Sequence, residues 1–225
     1  MNTAECMGRL MSSATHDMRN VLAVIRESAG LAQDMLHVSG TDLPGGRRLH
    51  TALEQVQEQV LRGAALAESM GNLAACAPGC DDEDGENAAS CDVGRVIRDF
   101  CCMAARRGRA CGLELTAHAD ADPVVAEAAA LDIFRALLAV FDVCASVGGG
   151  VRLHFSPVRR GRGAGVMCEV ERQGDNVDMV VSALTGCPLL TPDSNGWMAR
   201  LVPWRDATAR RFLLAADVLE TSSPQ

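Results

Sequence analysis

The stretch "SSATHDMRNVLAVIRESAGLAQDML", residues 12–36, decides the fold. Extended back to Met7, its apolar residues fall at Met7, Leu10, Met11, Ala14, Met18, Val21, Val24, Ile25, Leu31, Ala32 and Met35. Steps of three and four residues collect them on one stripe of a helix, because each residue turns the chain through about 100°. His16 lies two residues past Ala14, about 200° around from that stripe, and is expected to face water. Asn20, one turn further on, shares its side, as do Arg9 and Ala23.

Working outward, "HVSGTDLPGGRR" at residues 37–48 is crowded with Gly, Pro and Asp and reads as a turn. Leu49, Leu53, Val56, Val60, Gly63, Ala67, Met70 and Ala74 then step alternately by four and three residues, a coiled-coil-like seam. Two helices of about 30 residues, each ~45 Å long at 1.5 Å per residue, make an antiparallel hairpin. One hairpin cannot bury stripes this wide. Two of them paired as a four-helix bundle can, so a homodimer is expected.

Residues 77–90, "APGCDDEDGENAAS", are acidic and poor in apolar groups, the composition of a linker. The chain thus divides into a helical hairpin at 1–76, a linker at 77–90 and a second domain at 91–225. There the texture turns to mixed α and β. "DVGRVIRDFCCMAARRG" reads as a helix, "GLELTAHA" as a strand, and "PVVAEAAALDIFRALLAVFDVCASV" as one long helix closed by Gly148, Gly149 and Gly150. "VRLHFSPV" and "GVMCEVERQ" read as hairpin-paired strands, and "RRFLLAADVLE" as a last strand. Helices and antiparallel strands segregated in this way predict an α+β fold, a sandwich with helices on one sheet face.

Composition narrows the function classes. The 225 residues are 48% hydrophobic and 22% charged, ordinary for a globular protein, with only 3% aromatic residues and no tyrosine. A net charge of −8 argues against nucleic acid as a partner, and the basic cluster Arg159, Arg160 and Arg162 reads as an exposed turn. No run approaches the roughly 18 apolar residues of a membrane span, and no signal-peptide pattern opens the chain. No membrane partner and a cytoplasmic location are expected. The 10 cysteines show no matched CxxC pairs and no histidine at ligand spacing, so they read as free thiols in a reducing compartment, with no metal. Cys76, Cys80 and Cys91 are the weak alternative for a redox or zinc role.

His16, Asp17, Met18, Arg19 and Asn20, followed by "VLAVI", resemble the phosphoacceptor motif of two-component sensor histidine kinases: His, an acidic residue, two variable residues, then Asn or Thr. The hairpin resembles that family's dimerisation and phosphotransfer domain, and residues 91–218 resemble its ATP-binding sandwich. The resemblance also exposes departures. Asparagines that hold magnesium and phosphates in the family fall at Ala139 and Val143, which offer no oxygen ligand. The Asp-x-Gly-x-Gly loop falls on "EVERQGDN", with Arg172, Gly174 and Asn176, and no Gly-rich phosphate loop follows, only Gly186 and Gly196. The proline that often follows the family's motif is replaced by Val21. The resemblance therefore narrows to histidine phosphotransferases that keep the kinase architecture without the nucleotide site. It implies transfer of a phosphoryl group between response-regulator aspartates through His16, with no bound cofactor and with magnesium supplied by the receiver domain.

In that reading Asp17 accepts a hydrogen bond from one imidazole nitrogen and leaves the other free to attack phosphorus. Arg19 is a candidate for contact with phosphoryl oxygens, and Asn20 implies a role in orienting water. His37, His50, His118 and His154 have no partner at a telling spacing. Two other functions stay open: a silent adaptor that docks a regulator or kinase, and an active kinase with an unusual nucleotide site.

Overall fold

The computed structural model describes residues 3–39, 46–75, 90–118, 122–160, 163–172, 177–190, 198–202 and 209–215. The expected linker at 77–90 lies almost wholly outside them, as do Gly174, Asn176, Gly196, Cys76 and Cys80.

The two long amphipathic segments form the helices α1 (Thr3–Ser39) and α2 (Gly46–Ala75) of an α-helical hairpin. On α1 the row Leu10, Ala14, Asp17, Val21, Ser28 and Ala32 is buried; on α2 it is Ala52, Gly63, Leu66, Ser69 and Leu73. The helices come close at Gly63, where an added Cβ would stand 3.1 Å from Val21 Cγ1. The seam expected on α2 is therefore corrected. Gly63 belongs to the buried row, but Leu53 and Val60 are 52% and 51% exposed, and Ala67 and Ala74 are exposed too. The cause is a competing neighbour. Ser69 and Asn72 donate to the Asp99 carboxylate at 2.9 and 2.8 Å, which turns the Leu66–Leu73 side of α2 toward the second half of the chain.

That half opens with β1 (Cys91–Asp92) and α3 (Val93–Ala110). Asp92 caps α3 by accepting from the Gly94 amide at 3.0 Å. β2 (Leu113–Ala117) and β3 (Val125–Ala126) follow, then α4 (Ala130–Val147). The expected long helix is thus shorter at its start. Cys91 and Asp92 pair with Ala126 and Val125, and the Val93 amide donates to Val124 at 2.9 Å. Strand pairing overrides the helix propensity of the Ala-rich run there.

β4 (Val151–Arg160), β5 (Gly163–Arg172), α5 (Val177–Thr185), β6 (Met198–Val202) and β7 (Ala209–Ala215) complete the chain, with a 3-10 turn at Pro188–Leu190. The main sheet runs β2-β4-β5-β7-β6. β2 is parallel to β4 and the other pairs are antiparallel. Alternation along the strands separates two faces. Val151, Leu153, Phe155, Val166, Cys168 and Val170 point into a core shared with Phe100, Phe134 and Phe141. The opposite face carries the ion pairs Arg152–Glu114 and Arg211–Glu169 at 3.0 and 2.6 Å, and His154 Nε2 lies 3.7 Å from the Glu171 carboxylate there. Gly112, at φ 71°, lets the α3–β2 turn touch the α4–β4 turn; a Cβ there would sit 2.9 Å from Gly149 Cα.

Leu10, Ala14, Val21, Leu66 and Leu73 belong to the same apolar cluster as the sandwich core. The hairpin and the sandwich share one core, with α3 and α4 seated against α1. No described helix is long and apolar enough to cross a membrane.

Candidate functional site

His16 stands on α1 with its side chain exposed, as the helical phase requires. The side chain is not alone in solvent. Arg106, from α3 of the sandwich, donates through Nη1 to His16 Nδ1. Asn20 Nδ2, one turn along α1, lies 3.4 Å from the same nitrogen, at the long end of hydrogen bonding. Arginine can only donate, so Nδ1 is the accepting nitrogen and the neutral ring carries its proton on Nε2.

The expected bond from His16 to Asp17 is not formed, and that assignment is corrected. Asp17 is 2% exposed, and Arg62 Nη2 of α2 donates to both of its carboxylate oxygens, at 2.8 and 2.6 Å. The reason is helical phase. Residue 17 falls in the row of Leu10, Ala14 and Val21, about 100° from its neighbour at 16, so the carboxylate faces the second helix. An ionised carboxylate placed there requires a cation opposite it. Arg19 is exposed on the turn beyond His16.

Between α1 and α3 runs a groove of about 510 Å³, walled by Gly8, Ser12 and His16 on one side and by Arg106, Arg107 and Ala110 on the other. Its charge is positive. Arg9 pairs with Asp142 of α4 through two contacts of 2.6 Å, and Arg107 reaches the same carboxylate at 3.1 Å. Arg107 also lies 5.1 Å from the centroid of the Phe141 ring, a cation–π distance. Ser13 donates to the Met103 carbonyl at 3.1 Å. These bonds fix α3 and α4 against α1 and set the distance from which Arg106 reaches His16.

Within α4, Ala139 is 1% exposed and Val143 packs against the core. The 3-10 turn and α5, whose Val177, Val180 and Leu184 are buried, pack beside α4. Burial pushes the Cys101 and Cys144 thiols up to about 12, with Cys102 adding to the effect on Cys101. Burial also raises Cys168 well above the ordinary thiol value, with Cys144, Cys101 and Glu169 adding smaller contributions. These are unreactive neutral thiols. Among the described residues no group of His, Cys, Asp and Glu is placed to hold a metal ion.

Sequence reasoning did not find Arg62 or Arg106. A charged residue on an apolar row pointed to the need for Arg62. Nothing local pointed to Arg106, 90 residues away.

In class the molecule is an α+β protein whose site lies on a helical hairpin, flanked by a helix-covered sheet. Solved structures similar to it include a bacterial phosphotransferase, 16% identical over 95% of this chain and 97% of that one, with a TM-score of 0.43. Another is the Acinetobacter baumannii histidine kinase AdeS, 12% identical over 91% and 98%, with a TM-score of 0.39. A third is the histidine kinase ThkA in complex with the response regulator TrrA, 11% identical over 95% and 63%, with a TM-score of 0.41. Neither a protein family nor a curated protein matches the sequence.

Proposed function

We infer that this protein is a histidine phosphotransferase: His16 takes a phosphoryl group from the aspartyl phosphate of one receiver domain and passes it to the aspartate of another. The observation that carries this reading is the exposed His16 imidazole on the outer face of a hairpin, with a guanidinium at its ring and Asn20 one turn away. In-line phosphoryl transfer needs a reachable nucleophile and positive charge for the phosphoryl oxygens more than it needs covalent machinery. The receiver supplies magnesium. Residues 1–76 act as the phosphotransfer unit, 77–90 as a linker and 91–225 as a sandwich that no longer handles ATP. Ala139 and Val143 stand where carboxamides would be required. The half-exposed row Leu53 and Val60, with Leu22 on α1 at 58%, is the face by which two hairpins pair. The protein works as a homodimer in the cytoplasm.

Incubation with phosphorylated receivers from the same cell tests the reading. Wild type gains acid-labile, base-stable phosphate and His16→Ala gains none, while titration calorimetry with magnesium-ATP gives no heat of binding. Phosphate on His16→Ala, or on no form at all, sinks transfer and leaves the adaptor reading. Micromolar ATP binding revives the kinase.

A further inference from the structure

Three guanidiniums, those of Arg9, Arg106 and Arg107, line the groove beside His16. Arg9 and Arg107 share the carboxylate of Asp142, and Arg106 is aimed at the imidazole. The chain as a whole carries a net charge of −8, so three guanidiniums along one groove reverse the local sign and favour an anion there. A guanidinium fork fits two oxygens of a phosphoryl group, whereas an imidazole nitrogen engages only one of its donors. The chain contains no lysine, which leaves arginine as the only side chain with a permanent positive charge at this site.

Resting on the reading of His16 as phosphoacceptor, we propose that Arg106 holds the phosphoryl group at His16. Its guanidinium occupies Nδ1 in the unloaded protein and moves its N–H donors to the phosphoryl oxygens when the group reaches the ring. The resting contact keeps the imidazole proton on Nε2 and its lone pair on Nδ1 under the guanidinium, so neither nitrogen is free to attack. An incoming phosphoryl dianion draws Arg106 away. The Nε2 proton passes through water to Nδ1, and the exposed Nε2 lone pair forms the P–N bond. The P–O bond to the receiver's aspartate breaks, and its electron pair returns to the carboxylate. Nothing is oxidised or reduced. Asp17 cannot perform the tautomer change from its bond to Arg62. The sandwich thereby contributes to a reaction carried by the hairpin: it delivers the cation, and the Arg9–Asp142–Arg107 cluster keeps α3 in reach of α1.

The test compares full-length wild type, Arg106→Gln and Arg106→Lys by imidazole nitrogen NMR of His16, with inorganic phosphate as the probe, and by transfer from a phosphorylated receiver. Wild type holds the tautomer with unprotonated Nδ1, and phosphate shifts its His16 resonances. Arg106→Gln shows a mixture of tautomers and no phosphate response, and its transfer rate at saturating receiver falls roughly 10- to 100-fold with KM little changed. Arg106→Lys recovers part of the rate. A Gln variant with the wild-type tautomer and phosphate response overturns the proposal, whether or not the wild type accepts phosphate. Unchanged transfer in that variant overturns it as well. Phosphate binding that depends on Arg106 in a wild type that never becomes phosphorylated sinks the phosphotransferase reading, and with it the part given to Arg106 in transfer.

Discussion

At the scale of single residues, His16 and Asp17 are neighbours in sequence that face different surroundings. His16 meets solvent and a cation from the sandwich, and Asp17 meets Arg62 at the helix–helix seam. The two neighbours therefore play different parts in this chain, an exposed ring and a structural ion pair. Removing the carboxylate leaves a guanidinium without its partner, but the Arg62 side chain is 37% exposed and water compensates in part. Asp17→Ala is expected to lower unfolding free energy by about 1–3 kcal/mol, below the range for fully buried pairs. Chemical denaturation measures it. An unchanged midpoint would show that solvent replaces the pair completely.

At the scale of elements, each hairpin helix carries two apolar rows. One is consumed inside the molecule, and the other, marked by Leu22, Leu53 and Val60, stays open to solvent. Substitutions on the two rows should act differently. Leu53→Glu with Val60→Glu puts charge on the open row and is expected to give a folded monomer by light scattering with unchanged helical circular dichroism. Val21→Asp places a carboxylate at a site that is 1% exposed and in contact with the Gly63 region of α2. It is expected to melt the hairpin whatever the oligomeric state. A wild type that is monomeric at micromolar concentration removes the pairing role of the open row.

At the scale of the whole molecule, the chain has neither tyrosine nor lysine, so thiols are the side chains whose charge changes across the alkaline range. Cys101 and Cys144 are pushed from an ordinary 9.0 up to about 12 by burial, and Cys168 is raised as well. The unfolded chain loses these protons near pH 9 while the fold retains them. The stabilisation is therefore complete below about pH 9 and drains away as pH climbs toward 12. Urea midpoints should be level at neutral pH and fall across that window, as the unfolding free energy drops by up to about 1.4 kcal/mol per pH unit for each such thiol. Native-state alkylation of these thiols at neutral pH should proceed no faster than unfolding. Fast labelling of Cys101 in the folded protein contradicts its burial.

The periodicity of residues 7–35 and 49–74 was enough to read a hairpin, to put His16 on its outer side and to place most strands, because helical phase and strand alternation are local properties. It failed at 123–129, where pairing of β3 with β1 decides against the helix that Ala-rich sequence favours. It failed also on α2, where two candidate rows differ by one residue of phase and only the docking of α3, through Asp99, selects between them. The sequence by itself determined which histidine stands exposed on the outer side of the hairpin. The tertiary structure alone decided what surrounds it, because Asp17 answers to Arg62 across 45 residues and His16 to Arg106 across 90, and such distances are closed only by packing.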